Sequence, residues 1–212
     1  MTVHLSRPWL DFDLGEEMTV LPWAPHRPGF VTASRILWRE VRNADLPPDL
    51  DATAWLAAML RERQATDAVC FLTSRDLGPF VHRCATVEDV QVEVVATVGL
   101  SNAERIGARV DRTGQTWGTI NIAVRVLPGL TRPALIEAMT IAAQARTAAV
   151  IDTGPILATG QSTGTGTDCI AVASPEGYTH YAGLHTATGE AIGRAVYEAV
   201  TAGARAATAT RP

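Results

Sequence analysis

The sequence predicts an α+β fold: a mixed, largely antiparallel sheet of hairpin-linked strands, with helices packed on its outer faces. Segments with apolar side chains at every second position recur along the chain, and helix-like segments lie at irregular intervals between them. No G-x-G-x-x-G turn joins a strand to a helix, which disfavours a doubly wound sheet. We expect one domain over residues 1–212, with a less regular portion over 1–50 and a loose tail over 206–212.

Two segments show the alternation of a strand most clearly. From residue 90 to residue 98, apolar side chains occupy every second position and polar ones share the other face. Within residues 117–126 the isoleucines and valines point to one side, so Thr119 and Asn121 point together to the other. A solvated outer face would explain this polar pair as well as a functional site would.

The first fifty residues are harder to interpret. Residues 10–14 alternate like a strand, and residues 18–21 would be its partner. A proline-rich loop follows, whose Trp23 and His26 could line a pocket or simply cross the surface. Further short strands are predicted over residues 69–72, 169–173 and 178–181.

Three helices are predicted from their capping residues and apolar stripes. Asp49 or Asp51 caps the first helix, and Thr131 caps the second. The third begins after Thr186. Its apolar stripe at helical spacing consists of Ile192, Val196 and Val200.

Composition narrows the possible partners. A net charge of −4 and a pI near 5.7 disfavour nucleic acid and anionic membranes as partners. All 18 basic residues are arginines, which excludes Schiff-base chemistry and the lysine of a phosphate-binding P-loop. We see no signal peptide and no apolar stretch long enough to insert into a membrane, and we expect a cytoplasmic protein. A homo-oligomer is compatible with the sequence.

The cysteines and histidines show no metal-binding or disulfide pattern. Cys70, Cys84 and Cys169 are far apart, which favours a reducing compartment. Cys169 lies near the glycine-rich segment described next and is a conceivable nucleophile, although a buried structural cysteine is the favoured interpretation. No H-E-x-x-H or paired-cysteine spacing is present, so no metal is predicted.

The segment from Ser162 to Glu190 contains the most distinctive pattern of the chain. Glycine and threonine alternate over residues 163–167, and Asp168 follows. Such glycines permit a positive φ and let a ligand approach the backbone closely. His185 precedes the last helix and Glu190 lies one turn inside it, at positions where sites are often built. Simple turns and a helix cap would account for the same pattern.

Four short blocks occur in a fixed order, with a helix rich in alanine and threonine between the second and the third. They are Val98-Gly99-Leu100-Ser101-Asn102-Ala103, Gly118-Thr119-Ile120-Asn121-Ile122, Thr163-Gly164-Thr165-Gly166-Thr167-Asp168, and Ala182-Gly183-Leu184-His185-Thr186 with Gly189-Glu190. Together they resemble the CbiZ family, the adenosylcobinamide amidohydrolases of corrinoid salvage. The likeness is good over residues 90–205. It is looser in the N-terminal third, where residues 25–30 replace an Asn-Gly-Gly-like segment of the family.

The resemblance implies hydrolysis of the amide that joins a propionate of the corrin ring to aminopropanol. The products would be (adenosyl)cobyric acid and 1-amino-2-propanol. No cofactor would be required, because the cobalt is part of the corrinoid substrate.

The matched blocks hold a candidate for each chemical task of amide hydrolysis. His185 is the preferred general acid/base, because an unperturbed imidazole titrates near neutral pH, and Asp168 or Glu190 would orient or activate it. Ser101 and Thr119 are possible nucleophiles, although an activated water would also serve. The candidates for binding the oxyanion are Asn102 and Asn121; those for binding substrate are Asn102, Gly164, Thr165, Gly166, Thr167, Thr186, Trp117 and Trp23.

Three other functions fit the same residues. The first is a non-catalytic corrinoid carrier on the same scaffold. The second is an autoprocessing amidohydrolase with Thr119 as a new N-terminal nucleophile, although cleavage there would sever a predicted strand. The third is a module that binds a phosphorylated metabolite at the Gly-Thr segment, which the absence of lysine disfavours.

Overall fold

The structure is built around one eight-stranded sheet. The computed structural model describes residues 2–42, 45–47, 49–111 and 118–209. In chain order the elements are β1 (Val3–Ser6), β2 (Trp9–Pro22), β3 (Val31–Glu40), α1 (Ala52–Glu62), β4 (Val69–Thr73), β5 (Val81–Val87), β6 (Val90–Val98), β7 (Ala103–Glu104), β8 (Ile120–Leu127), α2 (Arg132–Thr153), β9 (Ile156–Leu157), β10 (Gly160–Gln161), β11 (Gly164–Thr165), β12 (Cys169–Ser174) and α3 (Ala187–Ala209).

The strand pairing confirms the predicted mixed, largely antiparallel sheet. The order is β4-β3-β2-β12-β8-β6-β5, and β1 pairs with β2. Only the β3–β4 and β8–β12 pairs of this sheet are parallel. The pairs β7–β11 and β9–β10 form small separate sheets. The fold class is therefore the predicted α+β arrangement.

The sheet curls so that part of its inner face packs against another part. Phe12 of β2 and Trp38 of β3 share one buried cluster with Val95 of β6 and Ala123 of β8. Neighbouring residues on these strands face outward, where α2 and α3 cover β6, β8 and β12 while α1 covers β3 and β4. The helices thus lie on the outer face of the curl, as predicted.

The capping residues and the apolar helix face predicted from the sequence are found in the three helices. Asp51 caps α1 by accepting hydrogen bonds from two backbone N–H groups, and Thr131 caps α2. The stripe of Ile192, Val196 and Val200 on α3 is fully buried. Because the stripe continues to Ala204, α3 remains helical as far as Ala209, and the predicted loose tail is wrong for residues 206–209.

Two predictions about strands are also wrong. Residues 10–21 form one strand rather than a hairpin, because a shift of register between Asp13 and Met18 absorbs the polar interruption at Gly15. Residues 1–50 therefore contain three strands of the sheet rather than an irregular portion. Residues 178–181 do not form a strand; backbone hydrogen bonds tie this segment to residues 129–131 instead.

One helix in the described part of the chain, α2, is long and apolar enough to cross a membrane by length and composition. Half of its most apolar window is buried inside the protein. A core helix of a globular protein gives the same result, so this is weak support for a membrane span.

Candidate active site

Three of the four blocks meet at one end of the sheet, which we call the Gly-Thr end. There the parallel strands β8 and β12 begin and the antiparallel strands β2 and β6 end. The end of β4 reaches the same place across the curled inner face, where the side-chain amide of Asn121 donates to the Leu72 carbonyl at 2.8 Å. Residues distant in sequence are thereby brought within hydrogen-bonding distance.

The carboxylate of Asp168 is the centre of this end. Its Oδ1 accepts from the backbone N–H of Ile120 at 3.0 Å and from the hydroxyl of Thr165 at 2.5 Å. Its Oδ2 accepts from the backbone N–H of Thr165 at 3.0 Å and forms an ion pair with Arg146 of α2. The side chain is only 5% exposed. With both oxygens occupied by donors, Asp168 is suited to fixing the Gly-Thr segment rather than to moving a proton.

The glycine at position 164 is explained by this ion pair. A Cβ at Gly164 would lie 2.6 Å from Nη1 of Arg146 and 2.8 Å from Oδ2 of Asp168, so any other residue there would displace the ends of the paired side chains. The expected positive φ is not found: the described glycines that adopt it are Gly15, Gly29, Gly107 and Gly160. Close approach within the protein therefore requires glycine at 164, whereas the position of Gly166 is open.

Thr119 and Asn121 face the inner side of the curl together, as predicted. The Thr119 hydroxyl donates to the Thr167 carbonyl at 2.7 Å and lies 3.2 Å from Oδ1 of Asn121. The Thr167 hydroxyl donates to the Gly118 carbonyl at 3.0 Å. Thr119 is 4% exposed and Asn121 is fully buried. These hydrogen bonds hold the second block (residues 118–122) against the third (residues 163–168).

The first block completes the Gly-Thr end. Strand β7 pairs with β11, so Ala103 lies opposite Thr165. Asn102 is 2% exposed, and its Oδ1 has no hydrogen-bond partner among the described residues. A Cβ at Gly118 would lie 2.6 Å from the Ser101 hydroxyl, so the first two blocks are in direct contact. A buried amide oxygen without a partner costs free energy, so Oδ1 of Asn102 is available to a hydrogen-bond donor.

A cavity of about 410 Å³ opens at this end. Ser101 is exposed at it, and three residues that follow β4 form another wall. The lining residues are Ser74, Arg75, Asp76, Gly99, Leu100, Ser101, Gly118, Thr153, Gly154, Pro155, Ala207 and Thr208.

Arg75 and Asp76 were not among the site residues predicted from the sequence. Both follow directly on the buried strand β4, and polar side chains just after a buried strand are a signal that could have been followed. Asp76 forms an ion pair with Arg7. The backbone N–H of Gly78 and then the Arg7 guanidinium hold the pKa of Asp76 below its usual value, so this carboxylate is ionised at neutral pH.

The aromatic candidates have different outcomes. Trp23 lies at the Gly-Thr end, where its indole N–H donates to the Asp168 carbonyl at 2.7 Å while 43% of the residue remains exposed. Its position gives it a free aromatic face beside the site. Trp117 lies outside the described residues.

Cys169 also lies at this end, yet it is poorly suited to nucleophilic attack. Burial, followed by the nearby Asp168 carboxylate, raises the pKa of its thiol to about 11. The thiol is therefore protonated at neutral pH, and only the thiolate is a strong nucleophile. This agrees with the preference for a structural cysteine.

The fourth block lies at the opposite end of the sheet, which we call the His185 end. Strand β12 starts at the Gly-Thr end and leads away from it, and α3 returns so that Thr208 lines the cavity. The 22 residues from Ala187 to Thr208 span about 30 Å at the helical rise per residue. Among the described residues no contact joins His185 to Asp168, which is bonded to Ile120, Thr165 and Arg146 instead, so the expected pairing of the two residues is not observed.

The remaining residues of the fourth block shape the start of α3. The Thr186 hydroxyl caps the helix by accepting from the Gly189 N–H at 2.9 Å, and a Cβ at Gly189 would lie 2.7 Å from the Ala182 carbonyl. Glu190 forms an exposed ion pair with Arg194 and does not orient His185. The His185 side chain is exposed and has no hydrogen-bond partner among the described residues. The binding role of Thr186 stays a prediction, since the structure shows its hydroxyl only as the cap of α3.

The protein is thus an α+β protein in which a buried polar cluster around Asp168 lies beside a cavity, a candidate small-molecule site. The family model described as CbiZ, adenosylcobinamide amidohydrolase, matches residues 1–212, including the N-terminal third. The chain therefore belongs to the CbiZ family and is an amidohydrolase that acts on adenosylcobinamide, a corrinoid.

Other comparisons are distant. No curated protein matches the chain. Among solved structures, the PH0078 protein from Pyrococcus horikoshii OT3 is similar at 10% identity and a TM-score of 0.44, with 92% of this chain and 76% of that chain covered. Likeness at this level says nothing about function.

Proposed function

We propose that the chain hydrolyses the amide between the corrin propionate and aminopropanol, and thereby serves corrinoid (vitamin B12) salvage. The products are (adenosyl)cobyric acid and 1-amino-2-propanol. The observation that carries this proposal is the meeting of three blocks around buried Asp168, beside a 410 Å³ cavity, in a chain of the amidohydrolase family. The unpaired cysteines support a reducing compartment, and we place the reaction in the cytoplasm.

The size of the cavity suggests how the substrate binds. Small-molecule pockets measure about 300–1,000 Å³, so 410 Å³ suits the aminopropanol arm and not the whole corrinoid. The flat ring then rests on the rim of the Gly-Thr end. There the half-exposed side chain of Trp23 offers an aromatic surface, and Gly166 and Thr167 offer exposed backbone to the ring amides.

The residues at the cavity suggest direct attack by water. Asp76, ionised at neutral pH, accepts a proton from the water as its oxygen bonds to the amide carbon. We assign Arg75 and Ser101, which line the cavity, to stabilising the oxyanion and holding the water. The buried amide of Asn102, next to Ser101 in the chain, is assigned as a further oxyanion donor. The C–N bond then breaks, and the proton held by Asp76 passes to the leaving amine.

Thr119 is a poor nucleophile because it is buried and its proton is given to a backbone carbonyl. We assign Thr119, Asn121, Thr165 and Asp168 to positioning the Gly-Thr end. No added cofactor takes part, since the cobalt arrives with the corrinoid.

The test is to incubate purified protein with adenosylcobinamide, without added metal or nucleotide, and to analyse the products by mass. We expect adenosylcobyric acid and 1-amino-2-propanol in equal amounts. Tight corrinoid binding without release of aminopropanol would contradict the proposal and favour the carrier function. Electrophoresis of the same preparation should show one band at 22.6 kDa; two fragments divided at Thr119 would instead support autoprocessing.

A further inference from the structure

Three side chains with metal-ligating atoms converge on the edge of the sheet, away from the cavity. His82 and Cys84 lie two residues apart on β5, so they point to the same face. Glu93 of β6 stands opposite Cys84 in the strand register and joins them on that face. Their ligating atoms all lie within 4.8 Å of one another.

The distances between these atoms are close to those of a metal site. The Sγ of Cys84 lies 3.8 Å from Nε2 of His82, and Nε2 lies 2.7 Å from Oε1 of Glu93. Zinc bonds to nitrogen, oxygen and sulfur measure about 2.0–2.3 Å, which places tetrahedral ligand atoms roughly 3.3–3.7 Å apart. An ion would therefore replace the His82–Glu93 hydrogen bond after a small rotation of exposed or half-buried side chains.

The surroundings leave this cluster able to bind a cation. Arg125 approaches the other carboxylate oxygen, Oε2 of Glu93, at 3.9 Å, while its own Nε is held by the Leu14 carbonyl at 2.9 Å. The guanidinium thus orients Glu93 and leaves Oε1 facing His82. Because His82 and Cys84 are exposed, water can take a fourth position.

We propose that His82, Cys84 and Glu93 form a site for one divalent transition metal of the zinc class. Imidazole, thiolate and carboxylate are the donors that zinc takes in proteins, and three protein ligands leave one position open. A bound ion would tie the edge strand β5 to β6. The Cys84 thiol gives up its proton on binding. No residue of β5 or β6 lines the cavity, so the metal site is independent of the hydrolytic site.

The test is a titration of the full-length, metal-free protein with Co²⁺ under reducing conditions, followed by absorption spectroscopy. Co²⁺ bound by a thiolate gives a charge-transfer band, which we expect at one ion per chain. Cys84→Ser should abolish the band, and His82→Ala should weaken Co²⁺ binding by more than about tenfold, since even indirect changes around a metal cost that much. The matched controls Cys169→Ser and His4→Ala should retain wild-type binding.

A second measurement separates binding from folding. Zn²⁺ should raise the melting temperature of the wild type and leave that of Cys84→Ser unchanged, while the two metal-free proteins melt alike. Absence of the Co²⁺ band in the wild type, its persistence in Cys84→Ser, or its loss in Cys169→Ser would each overturn the proposal. Aminopropanol release in metal-free buffer should be unaffected by Cys84→Ser. A negative result for metal binding would therefore not contradict the proposed hydrolysis.

Discussion

The two ends of the sheet look alike in sequence and differ in structure. Both carry glycines, threonines and a carboxylate next to the start of a strand or helix. At the Gly-Thr end these residues form a buried network around Asp168. At the His185 end the backbone packs tightly at Gly189, while His185 and Glu190 reach into solvent. Similar residue types therefore form a preorganised polar network at the Gly-Thr end and the N-terminus of α3 at the His185 end.

The largest expected effect follows from removing the centre of the buried network. Asp168→Ala leaves Arg146 without its partner in a buried position, which should lower the free energy of unfolding by about 3–5 kcal/mol. Turnover should be lost with it. Urea unfolding measures the change, and Glu190→Ala is the matched control, because its exposed ion pair contributes only about 0.3–0.5 kcal/mol. An equal decrease in the free energy of unfolding in Asp168→Ala and Glu190→Ala would contradict the difference between the Gly-Thr end and the His185 end.

The next largest effect concerns the carboxylate of the cavity. Asp76→Asn should lower turnover by about 10²–10⁴-fold, as expected for loss of a general base. The variant should bind adenosylcobinamide normally, which equilibrium binding can check. Asp89→Asn, in the exposed turn between β5 and β6, provides the control.

The pH profile tests the same assignment. Since the pKa of Asp76 lies below its usual value, turnover should be constant around neutrality and fall only as the pH drops through that lowered pKa. Arg7→Ala should raise this pKa, so the acid limb of the profile moves to higher pH. An acid limb that does not move in Arg7→Ala would contradict the role of Asp76.

Smaller decreases in turnover are expected from substitutions of Asn102 and Ser101. Asn102→Ala should reduce turnover by up to about 10²–10³-fold if its amide stabilises the oxyanion. Ser101→Ala should cost about tenfold, the value of one hydrogen bond to water. Complete inactivation of Ser101→Ala, with an acyl-enzyme seen by mass in the wild type, would show covalent catalysis instead. Gln91→Ala, an exposed amide on β6, is the control for Asn102→Ala.

The smallest effect is expected at Cys169. Because its thiol has a pKa of about 11, Cys169→Ser should leave turnover near that of the wild type. Alkylation of this thiol, followed by peptide mass analysis, should be slow at neutral pH and accelerate toward pH 11. Rapid labelling at neutral pH that parallels loss of activity would indicate a reactive nucleophile.

Most of the fold could be predicted from local patterns. The alternation over residues 90–98 predicted β6, and the caps at Asp51 and Thr131 predicted two helices. The continuous strand β2 could not be predicted, because Gly15 and its acidic neighbours have the composition of a turn. Pairing with β3 across a register shift, together with pairing to β1 and β12 nearer its two ends, keeps that segment extended.

The site was predicted in part. The second and third blocks were recognised as functional candidates, and Thr119 and Asn121 do face the same way. The position of His185 could not be predicted, because the sequence indicates a strand over residues 178–181 and the structure has none there. Asp76 was missed because its approach to Gly118 depends on how the sheet curls, which is a long-range property.

The location of catalysis is tested most directly by His185→Ala, measured beside Asp76→Asn and the exposed control His4→Ala. Release of 1-amino-2-propanol from adenosylcobinamide, corrinoid affinity and melting temperature are determined on each preparation. If hydrolysis takes place at the Gly-Thr end, His185→Ala and His4→Ala both match the wild type, while the turnover of Asp76→Asn falls by about 10²–10⁴-fold. A 10²–10⁴-fold loss of turnover in His185→Ala, with affinity and melting temperature unchanged, would contradict this location.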